Sequence, residues 1–226
     1  QYVFWKYYYD GAEADYQKEF GSAFPTQLVA NLKPGDAVYV DLDKNGKIDG
    51  NDMTYGKGYT DDPEYIAGLN LGFQWKGFSF NAQFTSAWNV SRMLSDVFRQ
   101  PFYSSSTTTQ GGLLLYHYKY TWSEDNPSQN AEYPRATWTN ATQNYATSTL
   151  YEKDAKYLRL KTLMVAYDFK FPLMKVLGLN QLQLALSGYN LFTLTPYKWG
   201  DPETRASNAP SYPLQRTYTL SLKVGF

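Results

Sequence analysis

The sequence predicts an all-β chain: strands of a large antiparallel transmembrane β-barrel, joined by long loops on one side. Three observations carry this. The last ten residues, TYTLSLKVGF, alternate Tyr218, Leu220, Leu222, Val224 and Phe226 with Thr219, Ser221, Lys223 and Gly225. That is a strand with one apolar and one polar face, and about ten residues suffice for a tilted strand to cross a bilayer. Aromatics make up 18% of the 226 residues, yet mean hydropathy is only −0.53, as expected where apolar side chains occupy one face only. Third, short and long connections alternate along the chain.

Six segments read as strands. Residues 2–9 (YVFWKYYY) are rich in aromatics. Residues 68–75 (GLNLGFQW) set Leu69, Leu71, Phe73 and Trp75 against Asn70, Gly72 and Gln74. Residues 78–85 (FSFNAQFT) continue the pattern with Phe78, Phe80, Ala82 and Phe84, and Lys76-Gly77 between them predicts a tight hairpin turn. Residues 157–171 alternate Leu163, Val165, Tyr167 and Phe169 with Met164, Ala166, Asp168 and Lys170. The first half breaks phase at Leu158 and Leu160, which predicts that the top of this strand stands clear of lipid. Residues 181–192 and 216–226 complete the set. The connections 10–67, 86–156 and 193–215 are long, whereas 76–77 and 172–180 are short. Membrane barrels show that asymmetry, with short periplasmic turns and long extracellular loops. Six strands fall below the roughly eight needed for a closed lipid-facing barrel, and open edges are not tolerated in hydrocarbon. Earlier strands are therefore expected outside this sequence. The opening residues Gln1 to Trp5 carry no export signal, which likewise predicts the C-terminal piece of a longer protein.

Composition excludes several function classes. Twenty-one basic and 21 acidic residues balance, leaving no basic stripe for nucleic acid. The absence of Cys removes disulfides, thiolate metal sites and Cys nucleophiles. No apolar run approaches the ~18 residues of a transmembrane helix. Catalysis finds little footing. His117 is the single histidine, and the adjacent pairs Glu124-Asp125 and Asp61-Asp62 do not face each other by default. Trp88, Trp122, Trp138 and Trp199 fall near strand tops or in outer loops, where packing is their expected role.

Residues 41–52, DLDKNGKIDGND, carry the sharpest motif. Counted as a calcium loop, Asp41, Asp43 and Asn45 occupy positions 1, 3 and 5, and Gly46 is the required glycine. Lys47 offers its carbonyl at position 7, Asp49 stands at 9 and Asp52 at 12, with Ile48 as apolar anchor. Ca²⁺ takes six to eight hard oxygens, which alternate residues of a tight loop can supply. Asp in place of Glu at position 12 shortens the reach of a bidentate ligand. No helical pattern flanks the loop, so a structural ion pinning an exposed loop is expected, not a paired EF-hand.

Several blocks resemble the C-terminal part of a SusC/RagA-type TonB-dependent outer-membrane transporter. They are YYYDG at 7–11, PGDAVYVDLDKNGKIDGNDMTYGKG at 34–58, GLNLGFQWKGFSFNAQF at 68–84, YPRATW at 133–138, DAKYLRLKTLMVAYDF at 154–169, SGYNLFTLTPYKWGDPE at 187–203 and the terminal strand. Ending on Phe226 is similar to the insertion signal of bacterial outer-membrane barrels. Residues 86–132 match only in outline. The resemblance implies a 22-stranded barrel with a plug, of which residues 1–226 would be the C-terminal portion carrying the calcium loop. It implies import of glycan or peptide fragments, energised through TonB, with a SusD-type lipoprotein as lid. Pro134-Arg135 and Asp201-Pro202-Glu203 are then expected among the loop pieces held against that partner. The alternative from a different class is a soluble, calcium-stabilised carbohydrate-binding β-module, which would also be aromatic-rich and Cys-free. The outward apolar alternation and the one-sided long loops separate the two.

Overall fold

A computed structural model describes residues 1–55, 57–94, 96–103, 112–204 and 214–226. The elements in chain order are β1 (Phe4–Tyr7), α1 (Ala12–Phe20), β2 (Ala37–Tyr39), β3 (Tyr65–Trp75), β4 (Phe78–Trp88), β5 (Ser91–Met93), α2 (Asp96–Arg99), α3 (Leu115–Tyr120), α4 (Ala141–Asn144), β6 (Glu152–Asp154), β7 (Tyr157–Asp168), α5 (Leu173–Val176), β8 (Gln181–Leu194) and β9 (Thr217–Gly225). The chain divides into two units. One holds residues 1–58 and 93–153; the other holds 59–92, 154–204 and 214–226.

The second unit is an antiparallel five-stranded sheet in the order β3-β4-β7-β8-β9. Its strands run 9 to 14 residues. At about 3.3 Å per residue and a tilt of about 40° the four strands of 11 or more residues would exceed the ~25 Å apolar band of a membrane barrel, and the nine-residue β9 would come within about 2 Å of it. Among the described residues the sheet is open, and no closed barrel is formed. Register carries the sequence alternation across the whole sheet. Phe73 pairs with Phe80, Phe80 with Val165, Val165 with Leu186, and Leu186 with Leu220. The next row links Leu71, Ala82, Leu163, Gly188 and Tyr218 in the same way. One face is thus continuously apolar. The row between them, Gly72, Asn81, Met164, Ser187 and Thr219, belongs to the opposite and mostly polar face. Leu69, Leu71, Phe73, Leu184, Leu220, Leu222 and Val224 are all at least 40% exposed. Phe80 and Phe84 are half-buried by their cross-strand neighbours.

The hairpin tip follows the sequence expectation. Lys76 and Gly77 both have positive φ, 46° and 91°, as a two-residue turn of the primed type requires. Gly77 has a second reason to be glycine: a Cβ there would lie 2.9 Å from the Asp168 carbonyl oxygen.

The phase break at the top of β7 has a different cause from the one expected. Gln83 and Phe84 are adjacent on β4 but pair with Thr162 and Leu160, so Lys161 is an extra residue. This β-bulge inverts side-chain parity. Below it Leu163, Val165 and Tyr167 share the apolar face; above it Leu158 and Leu160 do, and Arg159 turns to the polar face. The strand does not simply leave the apolar layer there.

Residues 2–9 are the second correction. They were expected to extend the membrane series, but β1 pairs with β2 in a separate two-stranded sheet of the first unit. The side chains explain this. Tyr7 is fully buried, and its hydroxyl donates to the Ala131 carbonyl at 2.8 Å. The whole unit is built this way: Tyr39 donates to the Gln143 carbonyl at 2.6 Å, Tyr133 to the Phe98 carbonyl at 2.7 Å, and Tyr151 to the Asn144 carbonyl. Burial pushes the phenols of Tyr7, Tyr39 and Tyr151 upward, so all three stay neutral donors. A tyrosine core buries aromatic area while each polar tip finds a partner.

A buried polar hub completes this unit. Asp36, fully enclosed, accepts from Arg135 Nη2 at 2.8 Å, Asn140 Nδ2 at 2.7 Å, Asn144 Nδ2 at 2.9 Å and the Lys33 amide at 2.9 Å. Helix α1 starts after Gly11 and stops at Gly21, both at positive φ, in a region read as loop. Its Ala12 and Tyr16 are buried, and Tyr16 meets Trp5 edge-on at 5.1 Å.

Candidate functional site

The calcium-type loop lies in the first unit. Gly46, at φ 85°, makes the tight bend. Ile48 packs into the cluster formed with Ala37 and Tyr39, and its amide donates to the Thr26 carbonyl at 2.7 Å. The loop is thereby clamped at its centre. Asp41 and Asp52 are buried, and their carboxylates converge with that of Asp43, with ligand oxygens within 4.8 Å of one another. Ligands of a single Ca²⁺ at roughly 2.3–2.6 Å stand at most about 5 Å apart, so this spacing fits one ion. Asp41 accepts from the amides of Asn45 at 3.2 Å and Gly46 at 2.8 Å; Asp52 accepts from Leu42 at 2.7 Å and Asp49 at 2.8 Å. Among the described residues neither carboxylate is ion-paired with Lys or Arg. Two buried carboxylates beside a third are costly without a cation, and an all-oxygen set suits a hard one.

Two of the other expected ligands carry hydrogen bonds of their own. Asn45 donates through Nδ2 to Asp43 at 3.0 Å, while its Oδ1 accepts from the Lys47 amide at 3.0 Å. The Asp49 carboxylate caps the short helical turn Gly50–Asp52 through the Asn51 amide at 2.8 Å and binds Lys47 Nζ at 2.9 Å. Those bonds, the amide first, hold the Asp49 carboxyl below its usual range. The loop thus brings Asp41, Asp43 and Asp52 together, with Asn45 and Asp49 alongside in hydrogen bonds of their own.

The second cluster sits on the polar face of the sheet and was not read from sequence. Arg159, 2% exposed, donates through Nη2 to Asp201 at 2.6 Å, through Nη1 to Glu203 at 2.7 Å and through Nε to Thr193 at 2.9 Å. Arg92 reaches the Pro202 carbonyl at 3.2 Å and also bonds the Asp61 carbonyl. Two buried arginines therefore fasten residues 200–204. A cavity of about 280 Å³ opens beside them, lined by Arg159, Thr193, Thr195, Asp201, Pro202 and Arg216, among others. Asp201 and Glu203, expected to meet a partner, are engaged within the chain, and so is Arg135 through Asp36. The available signal was a lone arginine within YLRL.

His117 belongs to the interior of the first unit. It is fully buried on α3, its Nε2 lies 3.2 Å from the Phe98 carbonyl, and its ring meets Tyr133 edge-on at 4.7 Å. Burial pushes the imidazole pKa down, against the opposing pull of the Phe98 carbonyl. Trp122 and Trp199 are buried, whereas Trp88 and Trp138 are exposed.

No family model matches the chain. It is 28% identical to TonB-dependent receptor P3 of Formosa agariphila over 239 aligned residues, covering 99% of this chain and 22% of that protein. TonB-dependent receptor P26 of the same organism is 31% identical over 117 residues, covering 46% of this chain and 12% of that protein. The chain thus spans about a fifth of the length of the P3 receptor. Among solved structures, the RagAB peptide transporter superposes with a TM-score of 0.62 at 22% identity, over 85% of this chain and 21% of that one. The RagAB peptide importer in its open-open state gives 0.60 at 23% identity, over 86% and 21%. The chain is thus similar along its whole length to a segment of a TonB-dependent receptor, and it shares the fold of a segment of the RagAB transporter.

Proposed function

We propose that this chain forms part of the wall and outer loops of a TonB-dependent importer in the bacterial outer membrane, taking up glycan or peptide fragments with a SusD-type lipoprotein. The observation that carries the proposal is the apolar face that runs unbroken across five strands, backed by a polar face suited to a lumen. No helix among the described residues is long and apolar enough to cross a membrane, so any crossing is made by strands. The edges of β3 and β9 would pair with further strands, in keeping with a 22-stranded barrel, because hydrocarbon does not tolerate free edges. The three long connections would then stand outside, where a calcium ion at Asp41, Asp43 and Asp52 would stiffen the first of them. The relatives are receptors and importers, which agrees with a role other than catalysis.

The test is a pull-down of the full-length protein from detergent extracts, followed by uptake assays with labelled peptides and oligosaccharides. Co-purification of a lipoprotein at near-equal stoichiometry, and uptake lost on deletion of the gene, are expected. A protein that comes out alone would replace the lid arrangement by a porin-like one. A protein soluble without detergent would replace the barrel by the carbohydrate-binding module.

A further inference from the structure

The connection between β7 and β8 is more than a passive turn. Residues 169–180 read FKFPLMKVLGLN and contain Lys170 and Lys175 but no carboxylate. Within it α5 buries Met174 and leaves Leu173, Val176 and Leu177 at 55%, 80% and 57% exposure. Both lysines are exposed. The turn is held in shape by the Leu179 amide, which donates to the Met174 carbonyl at 2.8 Å, and by Gly178 at φ 69°. Such apolar exposure in an ordered, acid-free turn calls for an apolar, anionic neighbour.

The surroundings say which. The turn joins β7 to β8 at the end of the sheet where Leu184, Val224 and Phe226 are exposed. Trp75 stands at the tip of the other short turn, with Lys76 Nζ 4.9 Å from its ring centroid. Aromatics flanked by lysines mark the boundary between acyl chains and headgroups. Resting on the membrane-spanning reading of the sheet, we propose that α5 is an interfacial foot. Leu173, Val176 and Leu177 enter the acyl boundary of the periplasmic leaflet, and Lys170 and Lys175 contact the phosphates of anionic phospholipids. A short apolar segment with cations beside it binds in this way, by buried area plus attraction to anionic headgroups.

The experiment uses the intact membrane protein in vesicles of phosphatidylethanolamine with phosphatidylglycerol, or of phosphatidylcholine alone. A nitroxide is attached at Val176→Cys, with Leu222→Cys as lipid-facing and Asn81→Cys as inner-face controls. Oxygen and a water-soluble nickel complex then compete to relax the label. The Val176 label is expected to favour oxygen, as the Leu222 label does. That preference is expected to weaken in phosphatidylcholine and in a Lys170→Glu, Lys175→Glu variant. A Val176 label as accessible to nickel as Asn81 would overturn the foot, and so would a label shielded from both relaxants, which would mean a protein partner covers the turn. Equal behaviour in both lipids would overturn the phosphate contact. If the Leu222 label itself is aqueous, the membrane-spanning reading fails first.

Discussion

Replacing Arg159 by Met should loosen residues 200–204, which Arg92 still holds at Pro202, while leaving the sheet folded. The methionine fills much of the volume and needs no partner, so the loss is confined to hydrogen bonds. Two of these are charge-assisted, to Asp201 and Glu203, and such bonds contribute about 1.5–3 kcal/mol each. The side chains of Asp201 and Glu203 are 11% and 34% exposed. Once freed, the carboxylates can rehydrate, which puts the loss at the low end, about 3 kcal/mol rather than the ~5 of a fully enclosed pair. The readout is amide exchange. The Glu203 amide donates to Asp201 Oδ1 at 2.8 Å, and the Thr204 amide to the Asp201 carbonyl at 3.0 Å. Both should open about 100-fold more often, at about 1.4 kcal/mol per factor of ten. Arg159→Lys keeps the charge but not the fork, so roughly tenfold is expected. Exchange mass spectrometry of the intact protein decides it. A change under about threefold for Met, or a Lys variant matching the native residue, would refute the account.

Three further outcomes are expected. Leu222→Arg should cost roughly 2–4 kcal/mol in folding titrations into lipid vesicles, as for a cation at mid-membrane, while Ser221→Arg on the opposite face should cost little; equal costs would contradict the assigned faces. Calcium should raise the thermal midpoint of the native protein but not of Asp41→Asn with Asp52→Asn, with an affinity on the order of 10⁻⁴–10⁻³ M as in extracellular modules; identical responses would remove the ion. His117 has its folded-state pKa depressed below the ordinary 6.5 by burial. Its contribution is therefore full above pH 6.5 and lost as pH falls toward the folded value. Exchange protection around α3 should drop on acidification in the native protein and stay flatter in His117→Gln; parallel profiles would count against it.

What the sequence made legible was local. Alternation alone located β3, β4, β7, β8 and β9, because a period of two and a Lys-Gly turn need no information from elsewhere in the chain. The calcium-type spacing was legible for the same reason, since Asp41 to Asp52 form one contiguous loop. Long-range partners hid the rest. Residues 2–9 look like any aromatic strand, and only distant partners such as the Ala131 carbonyl, which receives the Tyr7 hydroxyl from 124 residues away, place them in another sheet. Helix α1 offers a brief signal, Ala12, Tyr16 and Phe20 four residues apart, too short to stand out. Arg159 could not be matched to Asp201 and Glu203 from composition, because the pairing depends on how two strands align.

That alignment turns on Lys161. A β-strand can be thought of as a text read in twos, and the bulge is a single inserted letter. Ahead of it, even-numbered residues of β7 take the apolar side; after it, odd-numbered ones do. Were Lys161 paired in regular register instead of looped out, Arg159 would stand on the apolar face, with Leu158 and Leu160 on the polar one. One exposed, looped-out residue thus keeps a permanent cation off the apolar face. The position matters through the bulge it makes and less through the side chain it carries.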